Sequence, residues 1–364
     1  MELSSPDRAA RAALRFPLPG QPRVLGPLSG GLIHETWLVE AGTTRWVLQR
    51  LNRNVFRDVD AVMRNFSAVV EHLGRCTTSL GLSEPQRRAL ALVPARDGRS
   101  WTEDDAGGAW RCTGYIAHTE TKLRAASPAD AREAGRAFGE YTRLMEGFTA
   151  PLAMTIPGFH HTGGRLEALE RTAERDPVGR AASVAAELEV VDEFRALAHV
   201  LSPLMAAGGI PTRPAHNDAK IANLLFDDTT GRSLAVIDLD TVMPGSALHD
   251  VGDLIRTTVG SAEEDGPDAR TMQVRPEYFA ALIEGWFAGA EGVLTADERE
   301  LTLTAGRILT FEQAVRFLTD HLEGDHYYPV SRPDHNLHRA QAQLALLIDL
   351  TERSEALEEI IAAS

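Results

Sequence analysis

Apolar positions in the first third of the chain alternate more often than they recur at helical spacing. Trp37-Leu38-Val39 turns through Ala41-Gly42-Thr43 into Trp46-Val47-Leu48-Gln49-Arg50-Leu51, two strands of a hairpin, with a further extended stretch around Leu25. Val59, Val62, Met63, Phe66, Val69, Val70 and Leu73 then recur at three and four, the stripe of an amphipathic helix. Trp101 and Trp110-Arg111-Cys112 flank Asp104-Asp105-Ala106-Gly107-Gly108 as strand, turn and strand, and Gly114-Tyr115-Ile116 follows. From Pro128 the period becomes helical. Ala134, Ala137, Phe138, Tyr141, Leu144 and Met145 share one stripe, and a second long helix is predicted through Leu188, Val191, Phe194, Leu197, Val200, Leu201 and Leu204. The stretch from Thr155 to Thr162, with Pro157, Gly158, His160 and His161, breaks the pattern as a loop. Leu234 to Ile237 reads as a buried strand, Asp250 to Arg256 as a helix start whose Asp250 either caps the helix or holds the backbone of the loop at 216–223, and the last third as acidic helix.

A sheet-rich beginning and a helical remainder predict an α+β fold. At 364 residues, two lobes are the natural division: a mainly β lobe with one helix over 1–114 and a larger, mainly α lobe over 115–364.

Charge narrows the partners. A formal net charge of -15, with no basic tail or stripe, argues against nucleic acid. Cys76 and Cys112 give neither a disulfide framework nor zinc spacing, so reduced cysteines and a cytoplasmic location are expected. The first residues, with Glu2, Asp7 and Arg8, do not read as a signal peptide. No apolar run reaches the ~18 residues of a membrane span, so no membrane partner is expected, and with no heptad seam a monomer is.

The chemistry gathers between His216 and Thr241. Asp218 and Asn223 are five apart, and the strand from Leu234 ends in Asp238. A hydroxyl is a poor nucleophile and needs a carboxylate within hydrogen-bond reach to take its proton; Asp218 suits that task. Phosphate oxygens need a hard cation, and magnesium prefers oxygen ligands such as the Asn223 amide and the Asp238 carboxylate. Turn residues and a strand end would explain each of these singly. Their joint occurrence with His216 favours a phosphoryl-transfer site. His160-His161 lacks the carboxylate context of a zinc site.

The string His216-Asn217-Asp218-Ala219-Lys220-Ile221-Ala222-Asn223, followed by Val236-Ile237-Asp238-Leu239-Asp240-Thr241-Val242-Met243-Pro244-Gly245, resembles the aminoglycoside phosphotransferase and choline kinase superfamily, and within it the N-acetylhexosamine 1-kinases. The resemblance implies a bilobal, protein-kinase-like fold that binds ATP and Mg2+ and transfers phosphate to the anomeric hydroxyl of a sugar acceptor. Ser29, Gly30 and Gly31 would form a phosphate-facing turn, for which an ordinary hairpin turn is the alternative. Gln49 stands where most kinases carry a lysine, and alternation sends Arg50 to the other face. Asn65 or Glu71 on the following helix could face the phosphates, against the simpler reading of a solvated helix surface. Tyr115 falls at the expected hinge, where backbone would read adenine. Arg316 and Tyr327 resemble sugar-contacting positions; Asp240 would assist with metal or acceptor hydroxyls, and His34 is a further substrate candidate, with a surface histidine as alternative. A kinase for an aminoglycoside, choline-like amine or amino alcohol is the other enzymatic reading, and Gln49 keeps a nucleotide-binding pseudoenzyme open.

Overall fold

The computed structural model describes residues 5–28, 33–266 and 269–364; the expected turn at Ser29, Gly30 and Gly31 lies outside the described residues. Helix α1 (Ser5–Ala13) leads to strands β1 (Arg23–Pro27), β2 (Glu35–Ala41) and β3 (Thr44–Leu51) and helix α2 (Val59–Ser79). Strands β4 (Leu92–Val93), β5 (Thr102–Glu103), β6 (Ala109–Gly114) and β7 (Thr119–Glu120) follow. Next come helices α3 (Pro128–Leu144), α4 (Thr162–Arg175), α5 (Ala185–Glu193) and α6 (Leu201–Ala206), then strands β8 (Arg213–Ala215), β9 (Leu224–Asp227), β10 (Ser233–Val236) and β11 (Met243–Gly245). The remainder is α7 (Ala247–Thr258), α8 (Pro276–Gly289), α9 (Ala296–Glu300), α10 (Thr302–Glu323), α11 (His335–Glu352) and α12 (Ser354–Ala363). The chain divides into two compact units, one of residues 1–123, 144–157 and 222–244, the other of 124–143, 158–221 and 245–364.

The first unit is built on an antiparallel sheet in the order β1-β2-β3-β6-β4, with β5 also paired to β6. Strand alternation assigns its faces. Leu48, Trp110 and Cys112 point into a core with Trp37 and Val39, closed by Ala9, Ala12 and Ala13 of α1 and by Phe16. The intervening Val47, Gln49, Arg111 and Thr113 line a cavity. Helix α2 buries the expected stripe and starts at Asp58, whose carboxylate accepts the Ala61 N–H at 2.9 Å. Asn65 does structural work there: it donates to the carbonyls of Ala153 (2.8 Å) and Val242 (3.1 Å) and accepts the Ala153 N–H (2.9 Å). Glu71 is exposed and paired with Arg75.

In the second unit α10 packs against α4, α7 and α11. Helices α3 and α8 approach backbone to backbone through glycines: a Cβ on Gly135 would lie 2.2 Å from the Leu282 carbonyl oxygen, and one on Gly285 would lie 2.0 Å from that of Arg132. The long helix expected through Leu188 to Leu204 is instead α5, a 3-10 turn over Arg195–His199, and α6. Pro203 explains the break between His199 and Leu201, since its ring would clash with the His199 carbonyl in a continuous helix but fits the first turn of a new one. Among the described residues no helix is long and apolar enough to cross a membrane.

Candidate active site

Within the first unit, a cavity of about 370 Å³ is lined by apolar residues including Val47, Phe66, Leu90, Leu225 and Ile237 and by the polar Gln49, Arg111, Thr113, Asn223 and Asp238. Tyr115, Ile116 and His34 also line it. Five expected site residues, His34, Gln49, Tyr115, Asn223 and Asp238, thus share one cavity.

The sheet register builds its polar floor. Thr36 pairs with Gln49 across β2 and β3, and Gln49 with Arg111 across β3 and β6. Gln49 donates to the Thr36 hydroxyl at 3.2 Å and accepts the Arg111 Nε–H at 2.9 Å. Arg111 then donates through both terminal nitrogens to the two carboxylate oxygens of Asp240, each at 2.5 Å, and is stacked over Phe66. His34 Nε2 lies 3.1 Å from Asp240, and its Nδ1 accepts the Asn52 N–H at 3.1 Å. Burial alone would raise the Asp240 carboxyl, but Arg111 and His34 hold it well below the usual carboxylate range. Arg50 faces away, as alternation predicts, and pairs with Glu35 at 2.7 Å.

Strand β10 stops at Val236, and the chain does not continue extended to Asp240. Asp238 adopts the left-handed conformation (φ 61°, ψ 47°), and a 3-10 turn over Leu239–Thr241 follows. Such backbone costs a non-glycine residue roughly 1–3 kcal/mol and is concentrated at functional sites. A hard divalent cation takes oxygen ligands. The Asn223 amide oxygen and the Asp238 carboxylate on the cavity wall fit that preference, and no sulfur or imidazole competes among the residues beside them in sequence.

Asp218 belongs to the second unit, and the unit boundary falls in the loop between it and Asn223. Burial raises its carboxyl, but Lys220, whose Nζ lies 2.8 Å away, with His216 and Arg256 more than offsets this and leaves it below its ordinary value. The backbone before it is held from α7: Asp250 accepts the N–H groups of His216 (2.9 Å) and Asn217 (2.7 Å). Of the two roles open to Asp250, capping or bracing the loop, it performs the second; Ser246 caps α7. Burial lifts the Asp250 pKa to about 6 against the pull of His216 and those N–H groups.

A second brace was not legible in sequence. Asn217, in the left-handed region at φ 60°, offers its carbonyl to His160 Nε2 at 2.9 Å. His160 Nδ1 meets Glu312 Oε1 at 2.8 Å, while Glu312 Oε2 accepts the Thr162 hydroxyl at 2.6 Å. Both ring nitrogens therefore face pure acceptors, and an imidazole that donates twice is an imidazolium. Burial opposes that charge, but Glu312, Asp253 and the Asn217 carbonyl outweigh it and raise the His160 pKa. Glu312 is lowered to about 2, its burial overcome chiefly by His160.

Arg316 on α10 lies over the rings of Phe159 (5.4 Å) and Tyr328 (5.6 Å) and donates to the Gln313 side chain at 3.1 Å. Tyr327 is 60% exposed, so its ring is available to a ligand. Asp320 organises this loop by accepting the N–H groups of His326, Tyr327 and Tyr328 and the Asn336 amide. Asp253 is paired with Arg256 at 3.0 Å. Asp218, Arg316 and Tyr327 thus fall in one unit, and the five cavity residues with Asp240 in the other.

A model of the phosphotransferase enzyme family APH matches residues 24–291, and the chain belongs to that family. Among solved structures, a microcompartment-associated aminopropanol kinase superposes with a TM-score of 0.62 at 17% identity, over 96% of this chain and 98% of its own. An aminoglycoside phosphotransferase from Alicyclobacillus acidocaldarius subsp. acidocaldarius gives 0.61 at 12%, over 98% of each chain. The spectinomycin phosphotransferase APH(9)-Ia, solved with ADP and spectinomycin, gives 0.53 at 10%, over 95% of this chain and 98% of its own. At such identities the likeness is one of fold, and it bears out the α+β, protein-kinase-like class read from the sequence. The protein is a phosphotransferase of that family.

Proposed function

We propose that this phosphotransferase uses ATP and Mg2+ to phosphorylate the anomeric hydroxyl of an N-acetylhexosamine, giving the sugar 1-phosphate and ADP. The observation that carries the acceptor reading is the company of Arg316: Phe159, Tyr328 and Tyr327 surround it, while the neighbouring carboxylates Glu312 and Asp253 are engaged by His160 and Arg256. Aromatic faces and guanidinium donors suit the ring and oxygens of a neutral sugar. A cationic aminoglycoside or amino alcohol wants uncommitted carboxylates.

ATP fits the cavity of the first unit, with apolar residues for the base and a polar end for the phosphates. The ADP bound in the spectinomycin phosphotransferase supports the same donor. Mg2+, held by Asn223 and Asp238, would neutralise charge on the phosphate oxygens. Gln49 carries no charge, so the phosphates would rely on that end of the cavity and on backbone N–H groups. Asp218, ionised at neutral pH, accepts the hydroxyl proton as the sugar oxygen bonds to the γ-phosphorus and the bond to the ADP oxygen breaks. A weak carboxylate base is adequate for phosphoryl transfer, because its loose transition state asks more of positioning and electrostatics than of base strength. Arg316 and Tyr327 orient the sugar.

The similarity to an aminopropanol kinase gives the second reading, an amino-alcohol acceptor. Phosphoryl transfer from MgATP across hexoses, N-acetylhexosamines, aminoglycosides, choline and aminopropanol, with phosphorus NMR of the product, decides between them. A phosphorus signal coupled to an anomeric proton is expected. A product only from amines would overturn the sugar assignment, and ATP binding without transfer to anything would revive the pseudoenzyme.

A further inference from the structure

The acceptor-side cluster of the second unit contains a second arginine, Arg165, that the sequence did not single out. It sits in the first turn of α4, which His161 caps by accepting the Gly164 N–H at 2.9 Å. One terminal nitrogen of Arg165 donates to the Phe159 carbonyl at 3.2 Å. Its Nε is buried and meets no acceptor. The cluster is short of acceptors in general. Glu312, the carboxylate close to both arginines, has one oxygen on His160 and the other on Thr162, and Arg316 takes the Gln313 oxygen. Arg165 on the Phe159 carbonyl and Arg316 over the Phe159 ring bear on the same residue, and burial, then the like charge of Arg316, lower the Arg165 pKa.

A buried N–H without a partner is rare in folded proteins and costs free energy unless something fills its place. Two neighbouring guanidinium groups also repel a cationic ligand. What the Arg165 Nε–H lacks, among the described residues, is an oxygen acceptor. On an N-acetylhexosamine the strongest neutral acceptor is the amide carbonyl, and the same sugar without its acetyl group presents an ammonium at that position.

We infer that Arg165 is a specificity-determining residue whose unpartnered Nε–H reads the acyl carbonyl of the acceptor, and that Arg165 and Arg316 together exclude the free amino sugar. This rests on the sugar-kinase reading above. Because it concerns choice among sugars and not the transfer step, it is tested by ratios.

The experiment measures kcat/KM of the full-length wild-type protein and of Arg165→Met and Arg165→Lys for N-acetylglucosamine, glucosamine and glucose at saturating MgATP. Melting temperature and ATP affinity serve as controls for folding. In the wild type the acetylated sugar is preferred to glucosamine. In Arg165→Met the preference for N-acetylglucosamine over glucose falls by about 10- to 100-fold, the range for one hydrogen bond to a charged group, and activity on glucosamine rises. Arg165→Lys retains repulsion of the amine but loses preference over glucose, because an ammonium lacks the fixed Nε–H. An equal loss on all three sugars would assign Arg165 to the transferred phosphate or to structure and overturn the inference. Unchanged ratios in a folded variant would overturn it while leaving the sugar-kinase reading intact. Wild-type protein inactive on every sugar would overturn both. Should Arg165→Met fail to fold, the Arg165→Lys ratios alone decide.

Discussion

Arg111 and Asp240 meet fork to fork, two hydrogen bonds of 2.5 Å joining groups that are each 1% exposed. Arg111 reaches Asp240 from the strand next to Gln49, so the cation missing from β3 reappears one strand over, bound to a carboxylate. Removing Arg111 leaves Asp240 buried with only His34 beside it, and breaking such a buried pair costs roughly 3–5 kcal/mol. Arg111→Met should therefore lower stability by about that amount in chemical denaturation. Arg111→Lys, which keeps the charge but not the fork, should fall between it and the wild type. Equal stability of all three would mean that the pair contributes nothing net.

Asp218→Asn should reduce kcat by about two to four decades, the usual contribution of a positioned general base. Nucleotide affinity should change little, since the cavity lies among residues of the other unit. Retained turnover would remove Asp218 from the reaction.

The His160–Glu312 pair predicts a pH signature. His160 has a raised pKa, so its contribution is complete below the ordinary histidine value of 6.5 and is lost as pH rises through the raised one. Glu312 is lowered to about 2, so its contribution is complete above 4.5 and is lost as pH falls toward 2. The brace on Asn217 is thus intact between these limits. Glu312→Gln should move the His160 titration, followed by NMR of its ring protons, to lower pH and bring the alkaline loss of kcat with it. A titration that stays in place would show that Glu312 does not hold the proton.

Gly285→Ala should destabilise the second unit, because a methyl 2.0 Å from the Arg132 carbonyl must push α3 and α8 apart. Overpacking of this kind costs about 1–3 kcal/mol. Gly231→Ala is a different case: space is open there, and only its φ of 68° opposes the change. Thermal melts of both variants separate crowding from backbone strain.

How far the sequence reached depended on the range of the interaction. Strands β2 and β3 and the stripe of α2 followed from alternation and period, both local properties; Asn223 and Asp238 were singled out by spacing, and Gln49 by the family resemblance. Asp250 could be assigned a choice of two roles because it lies on a helix start. The partner of Asp240 could not be read, for Arg111 is 129 residues away and looks like any strand arginine. Glu312, 152 residues from His160, was hidden in an ordinary helix stripe for the same reason. The long helix from Leu188 to Leu204 was overestimated because the apolar period continues through two breaks, of which Pro203 enforces the one before Leu201.

The ion pair between Lys220 and Asp218 has a practical side. Lys220 and Lys122 are the two lysines of the sequence, and every other basic side chain among its 37 Lys and Arg is an arginine. Lys122 lies over the Phe226 ring at 4.7 Å in the first unit. An amine-directed acylating reagent consequently has two side-chain targets, one beside the proposed base and one to serve as internal standard. The ratio of modification at the two, read by mass spectrometry, turns the protonation and occupancy of Asp218 into a measurable mass signal without any engineered label.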